Sequence, residues 1–499
     1  MTYQLYWGDL HAHCSVSYGE GSVEQALRRA RQQLDFCSIT GHAYWPDMPT
    51  DRDRYGEIID YHTEGFDRLA RNWDELLKKQ AAGSQEGEFV VFPSFEWHSL
   101  QYGDHNVYAP GPGLDLRDAP DLRNLQQQAK RCSAVCIPHH IGYAPGFRGL
   151  DWRHFDEKAS PFVEIFSLHG CSESDAAPYP MLHDMGPRNG PSTAVAGWSL
   201  GHKFGVIAST DHHGGYPGSY GDGRLAVLAE ELSRDAIWQA LLERRVYAVT
   251  GDKIDARLWV DDAEIGSVVP SGDRHHLRIQ VQSSAALDRV ELLKNDCVYR
   301  RFFPASTQPN ERTDRYRLRV TWGWGRKDEP VRWLANLRLS EGAIREVETC
   351  FSGQSIVAPR GVAGHTDTSD QDDLPHEVLD RSERTVTWRS VTTGNRSTRH
   401  PTTQALSLDL EAPLTARLTV EANGHRIQTP LAALLRRGHA HYLRGWLSEA
   451  IQIGPLTPAA DCCVAADLEV KPETNCDRYR LRVAQANGQW AWLSPIWIE

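Results

Sequence analysis

Two periodicities divide the chain. Up to about residue 255, apolar runs of strand length alternate with stretches whose apolar positions recur every three or four residues. The runs include FCSIT from Phe36, FVVFPSFEW from Phe89, HNVYA from His105, AVCIP from Ala134, PFVEIFS from Pro161 and FGVIAS from Phe204. A strand is also expected from Gln4 to His13. Helical spacing joins Val23, Ala26, Leu27, Ala30 and Leu34 behind a Ser22/Gln25 capping box, and Phe66, Leu69, Ala70, Trp73, Leu76 and Leu77. A further capped helix is expected after Ser233. Strands interleaved with helices predict an α/β fold with a parallel, barrel-like core.

Beyond about Asp255 the alternation is every second residue, with abundant Thr, Val and Arg, which predicts antiparallel β structure. The heptapeptide DRYRLRV occurs at 314–320 and again at 477–483, each copy followed by a Trp-rich stretch. Tyr, Leu and Val alternate with Arg in both, as in a strand buried on one face, and the repeat points to two related β modules. The expected division is a barrel over 1–255, a β-sandwich module over 256–355, a Gly-, Asp-, Ser- and Pro-rich linker over 356–399, and a second β module over 400–499.

Composition narrows the function. A length of 499 residues implies two or three domains, and 40% hydrophobic residues imply folded ones. The net charge of −12 argues against broad nucleic-acid binding. No apolar run approaches a membrane span, and the first residues resemble no signal peptide. Ten cysteines without a CxxC pair read as reduced thiols, so a cytoplasmic protein is expected. Histidine is concentrated: 14 of 22 lie before residue 255, where the strand ends fall.

On a strand, Asp9, His11 and His13 share a face, and two imidazoles so placed can bind one metal ion while Asp9 orients a ligand ring. Alone, HxH is a weak signal. However, Glu96, His139 and His140, His42, and Asp211 with His213 each close or follow another apolar run, and His105 opens one. In parallel barrels such positions line the site, and a His, Glu and Asp set there fits a multinuclear centre of N/O donors.

GDLHAH, DFCSITGHA, FEWHS with HNV, IPHH, VEIFS and STDHH resemble, in order, the motifs of the PHP (polymerase and histidinol phosphatase) superfamily. RDAIWQALLERRVYAVTG and AWLSPIWIE are similar to a stand-alone bacterial branch that includes carbaryl hydrolases. The resemblance implies a distorted (β/α)7 barrel, followed here by an antiparallel β-sandwich region, with two to three zinc, manganese or iron ions. It implies that His11, His13, Glu96 and Asp211 hold one ion, that Glu96 bridges to a second held by His105 and His139, and that His42 and His213 help hold a third. Gly41 and Gly19 stand where relatives carry further ligands, so a two-metal core with a weak or absent third ion is expected. Glu164 matches a motif position without an assigned metal.

Water activated between two ions attacks without a covalent protein intermediate. His140 and His169 are the candidates to protonate the leaving group or hold the substrate. Arg52, Arg54, Arg148 and Arg153 are candidate anion clamps, and Trp45 and Trp152 candidate walls for an apolar group. A phosphoesterase acting on a small molecule is expected first, a carbamate or carboxylic-ester hydrolase second, and a non-catalytic binding protein third. Neither nucleic acid nor membrane is an expected partner; self-association through the β region is a possible one.

Overall fold

The computed structural model describes residues 3–183, 185–305, 314–326, 329–353, 376–394 and 403–499. The strand Gln4–Asp9 runs parallel to Phe36–Ser38, which runs parallel to Val90–Phe92. On its other side it pairs antiparallel with Arg224–Ala229, and that strand with Val246–Val249. Gly41–Tyr44, Ser94–Trp97, His105–Tyr108 and Val135–Pro138 form a second sheet. Phe162–Ser167, Gly170–Cys171 and Gly205–Ala208 form a third.

The fold is therefore mixed α/β and mostly strand. The expected (β/α)7 barrel is not found: among the described residues the strands of the first half do not close into one hydrogen-bonded ring. Pro93 is one reason. It has no N–H to continue a ladder, and FVVFPSFEW splits there into Val90–Phe92 and Ser94–Trp97, which join different sheets. The run from Phe36 splits likewise between Ser38 and Gly41.

The capping box forms as predicted, with Ser22 Oγ accepting from the Gln25 N–H at the start of the helix Val23–Ala30. The helix Arg52–Ala82 is longer than its apolar spacing implied. Asp51 caps it, and its first turns precede the apolar positions that predicted it. Its buried Leu69, Trp73 and Leu76 pack into one core with Ile39, Val91 and Phe95.

In the second half, a six-stranded and a five-stranded sheet share a core, with the Trp322 and Trp388 rings 5.0 Å apart. Much of the expected linker, 354–375 and 395–402, lies outside the described residues, but Glu377–Arg381 and Thr385–Thr393 are strands of the five-stranded sheet. The two DRYRLRV copies lie in the strands Arg315–Trp324 and Asp477–Gln485, which belong to different sheets. Trp490–Leu493 pairs with Val246–Val249, so the C-terminal strands extend the sheet that carries Gln4–Asp9. No helix among the described residues is long and apolar enough to cross a membrane.

Candidate metal centre

The first strand ends at Asp9, not at His13. His11 to His13 continue extended because they pair with a second segment. The Asp211 N–H donates to the His11 carbonyl at 2.7 Å, and the His13 N–H to the His212 carbonyl at 2.9 Å. Asp9 was expected to orient an imidazole; instead it staples backbone. Its carboxylate accepts from the N–H groups of His11 (3.0 Å), Thr210 (3.1 Å) and Gly218 (2.7 Å) and from Thr210 Oγ1 (2.6 Å). Two segments distant in sequence are thereby locked in register, with His11, His13, Asp211 and His213 on them. Asp211 and His140 both adopt positive φ, +55° and +33°. Such conformations cost of order 1–3 kcal/mol and persist where the surroundings enforce them.

Glu96 and Asp211 are the hubs. Glu96 Oε2 lies 3.7 Å from His11 Nε2, 3.4 Å from His13 Nε2 and 3.3 Å from His42 Nε2; Oε1 lies 3.0 Å from His139 Nε2 and 3.4 Å from His98 Nδ1. Asp211 Oδ1 lies 3.3 Å from His11 Nε2 and 3.0 Å from His13 Nε2, and Oδ2 3.0 Å from His169 Nε2. All these groups are buried.

The far side of each ring is held as well. His11 Nδ1 meets Glu164 Oε2 at 2.9 Å, His13 Nδ1 the Thr40 carbonyl at 2.5 Å, and His213 Nδ1 the Asp211 carbonyl at 2.9 Å. Each carbonyl takes Nδ1–H, so in the neutral ring Nε2 of His213 carries the lone pair, while Nε2 of His13 faces Asp211 Oδ1. For His42, His139 and His213, burial and then a neighbouring imidazole keep the rings well below the usual histidine range, in the neutral form that binds metals. Burial would raise Glu96 and Asp211, but the surrounding histidines outweigh it and hold both carboxyls well below their ordinary values. His11 is the exception. Burial lowers it, yet Asp211 and Glu164 pull it well above 6.5, which marks where the site draws positive charge. His11 Nε2 and Glu96 Oε2 are buried without hydrogen-bond partners.

His11, His13 and Asp211 place donor atoms close enough for one ion, as do His13, His42 and His213; His42, Glu96 and His98; Glu96, Asp104, His139 and His140; and His140, His169 and Asp211. This brings together His11, His13, His42, Glu96, His139, Asp211 and His213, and both proton-transfer candidates. His140 Nε2 lies 3.3 Å from Asp104, and the His140 ring stacks on His169 at 4.4 Å. His169 Nδ1 meets the Tyr143 hydroxyl at 2.7 Å, and burial takes His169 down to about 3.

His105 takes no part in these contacts. The register explains why: Glu96 pairs across the hairpin with Asn106, and Trp97 with His105. Cross-strand partners share a face. Asp104 and His98, two residues from Asn106 and Glu96, therefore face the cluster, while His105 turns towards Trp97 and holds the Gly103 carbonyl through Nδ1. Asp104 and His98 were not foreseen, nor was Glu164 as the group that orients His11. Hairpin parity was the signal that could have found the first two.

Of the four candidate clamps, Arg52 pairs with Asp60 on the exposed start of its helix, Arg54 lies over Tyr55, and Arg153 binds Asp151. Arg148 alone enters the centre, on Asp104. Trp152 is core, stacked on Phe204, whereas Trp45 lies against His62, His98 and Arg148. The two glycines have steric reasons. A Cβ at Gly41 would lie 2.4 Å from Leu69 of the long helix, and one at Gly19 2.7 Å from the Cys14 carbonyl. In that quarter Tyr18 stacks on His42 at 3.5 Å, and Ser17 Oγ meets His42 Nδ1 at 3.0 Å.

No family model matches the chain. It is 28% identical over 321 residues to an uncharacterised protein of Chlamydia pneumoniae. It is 23% identical over 329 residues to uncharacterised proteins of Chlamydia muridarum and Chlamydia trachomatis. Each match covers 60% of this chain and 49% of the relative, so the chain spans about half the length of the curated relatives it matches. Among solved structures it is similar to a two-domain protein from Bacteroides vulgatus containing a predicted PHP-like metal-dependent phosphoesterase, at a TM-score of 0.34 and 16% identity over 58% of this chain and 79% of that one. It is also similar to a lesion-specific endonuclease from Pyrococcus furiosus, at 0.29 and 12% over 48% and 56%.

Proposed function

We propose that this chain is a metal-dependent hydrolase of the PHP type acting on a small phosphoester. One observation carries the reading. Glu96, Asp104, Glu164 and Asp211 are buried together, and among the described residues Arg148 is the one Lys or Arg ion-paired with any of them. Buried carboxylates without countercharge are costly, by several kcal/mol each on the order-of-magnitude scale. Divalent cations supply the missing charge, and the unpartnered His11 Nε2 and Glu96 Oε2 are donors of the right kind. The motif order resembling the PHP superfamily supports the same reading.

His11, His13, Glu96 and Asp211 would hold an ion, with His42 and His213 nearby for another. When bound, a divalent ion supplies a Lewis acid and activates water at neutral pH. The chain's own residues do the rest. Glu164, Thr40 and the Asp211 carbonyl fix the ligand rings. His169, held neutral between Asp211 and the Tyr143 hydroxyl, is placed to hold the substrate, and His140 stacks beside it.

The test is hydrolysis of p-nitrophenyl phosphate, bis-p-nitrophenyl phosphate and naphthyl carbamate by chelator-treated protein restored with Mn or Zn. Metal-dependent release from a phosphate ester, lost by at least about 100-fold in Glu96→Ala, is the expected outcome. Turnover of the carbamate alone would replace the phosphoester reading with a carbamate hydrolase. Activity untouched by Glu96→Ala would overturn both.

A further inference from the structure

The Asp104 end of the centre differs from the rest. Elsewhere the carboxylates face imidazoles; here Asp104, with His140 Nε2 3.3 Å away, faces a guanidinium as well. Arg148 Nε donates to Asp104 Oδ2 at 2.7 Å, and a second guanidinium nitrogen also pairs with that carboxylate. The other carboxylate oxygen accepts from the Ser99 N–H at 2.9 Å. Arg148 Nη2 lies 2.9 Å from His98 Nδ1. A guanidinium only donates, so this contact uses the Nδ1 lone pair of His98. Asp104 and His98 are thus committed, although each belongs to a group whose geometry could otherwise hold an ion.

Arg148 is not a surface chain that happens to reach inward. Its side chain is 18% exposed, lies over the Trp45 ring at 5.3 Å, and has Nη1 on the Met185 sulfur at 3.6 Å. Its backbone has φ +67°, with the N–H bonded to the Leu100 carbonyl. The loop spends a strained residue to aim this side chain.

We infer that Arg148 takes the place of one divalent cation at the Asp104 end, so the number of ions held is set by an arginine of the chain itself. The inference rests on the metal-centre reading above. A guanidinium cannot be deprotonated at working pH, so it is a permanent +1 on Asp104, whose carboxylate belongs to the same group as Glu96, His139 and His140. A second positive ion there would meet both its repulsion and the loss of Asp104 and His98 as donors. Removing the guanidinium should return both donors and create a vacancy for one ion.

The experiment counts metal. Full-length protein is saturated with Mn or Zn, desalted and analysed by inductively coupled plasma mass spectrometry, with circular dichroism confirming the fold. Arg148→Met and Arg148→Gln are expected to hold one ion per chain more than wild type. Arg148→Lys, which keeps the charge, should match wild type. Asp104→Asn combined with Arg148→Met should lose the gain, because the freed donor is gone. Cobalt-loaded Arg148→Gln should show added visible absorption of matching stoichiometry. Folded Met and Gln variants with the wild-type count would overturn the inference and leave the metal-centre reading intact. Wild type without any retained ion would overturn that reading, and the inference with it.

Discussion

The same seven residues, DRYRLRV, occur in two strands with different surroundings. In both, the Tyr, Leu and Val side chains enter a core: Tyr316, Leu318 and Val320 in one, Tyr479, Leu481 and Val483 in the other. The arginine faces diverge. In the first copy Arg315 and Arg317 share Asp409 within the β region, with Arg315 half exposed, and Arg319 alone reaches the first half, at the Tyr220 hydroxyl (2.8 Å). In the second copy Arg480 bonds Glu173 at 2.6 Å over the Trp198 ring, Arg482 bridges Glu173 and Glu291, and Arg478 pairs with Asp296 and donates to the Trp198 carbonyl. Alternation dictates which face is apolar; what meets the polar face is decided by the sheet the strand joins.

That contrast can be broken at four places. The largest effect is expected from Arg480→Met, which leaves buried Glu173 with Arg482 as its remaining ion-pair partner. Removing one member of a buried pair costs about 3–5 kcal/mol, read by urea denaturation. A loss below about 1 kcal/mol would erase the distinction between the copies. Next, Leu318→Ala and Leu481→Ala should each cost about 3 kcal/mol, and nearly the same, since both lie in closed cores. A large inequality would show that the apolar faces differ as well.

Third comes the leading aspartate. Burial pushes Asp477 up, but the Thr474 hydroxyl, the Glu473 N–H, Asn295 and Lys294 outweigh it and hold the carboxyl below its ordinary value. A depressed folded value contributes stability that is complete above the unfolded value of about 4 and is lost as pH falls through the folded one. Asp477→Asn should therefore destabilise at pH 7 and flatten the acid limb of the stability profile below pH 4. Asp314→Asn, at the exposed equivalent, should change stability at pH 7 by less than about 0.5 kcal/mol. The smallest effect is Arg315→Met, within about 1 kcal/mol for a half-exposed pair.

Much of the centre was legible because strand ends are legible. His11, His13, His42, Glu96, His139, Asp211 and His213 each follow or end an apolar run, and seven such positions in one half of a chain are hard to place apart. Asp104 and His98 were hidden because a run of letters does not display the face of a hairpin, and His105 was chosen by proximity where parity excluded it. Arg148 was one of four equivalent-looking arginines; only the path of its loop singles it out. The strands at 377–393 were masked by flanking Gly- and Asp-rich sequence. Barrel closure was not legible either, because it depends on whether strands interrupted at Pro93 and after Ser38 join one sheet or two.

The pairing of Trp490–Leu493 with Val246–Val249 has a consequence for how the molecule is made. Some 240 residues separate the partners. At roughly 5–20 residues per second, a ribosome needs about 12–50 s to deliver the second strand after the first has emerged. For that interval the sheet beneath the histidine cluster presents an unpaired apolar edge, the kind of surface that recruits other chains. Synthesis at slower speed or higher expression should lengthen or crowd that window, so the yield of soluble protein is tied to the timing of a strand far from any ligand.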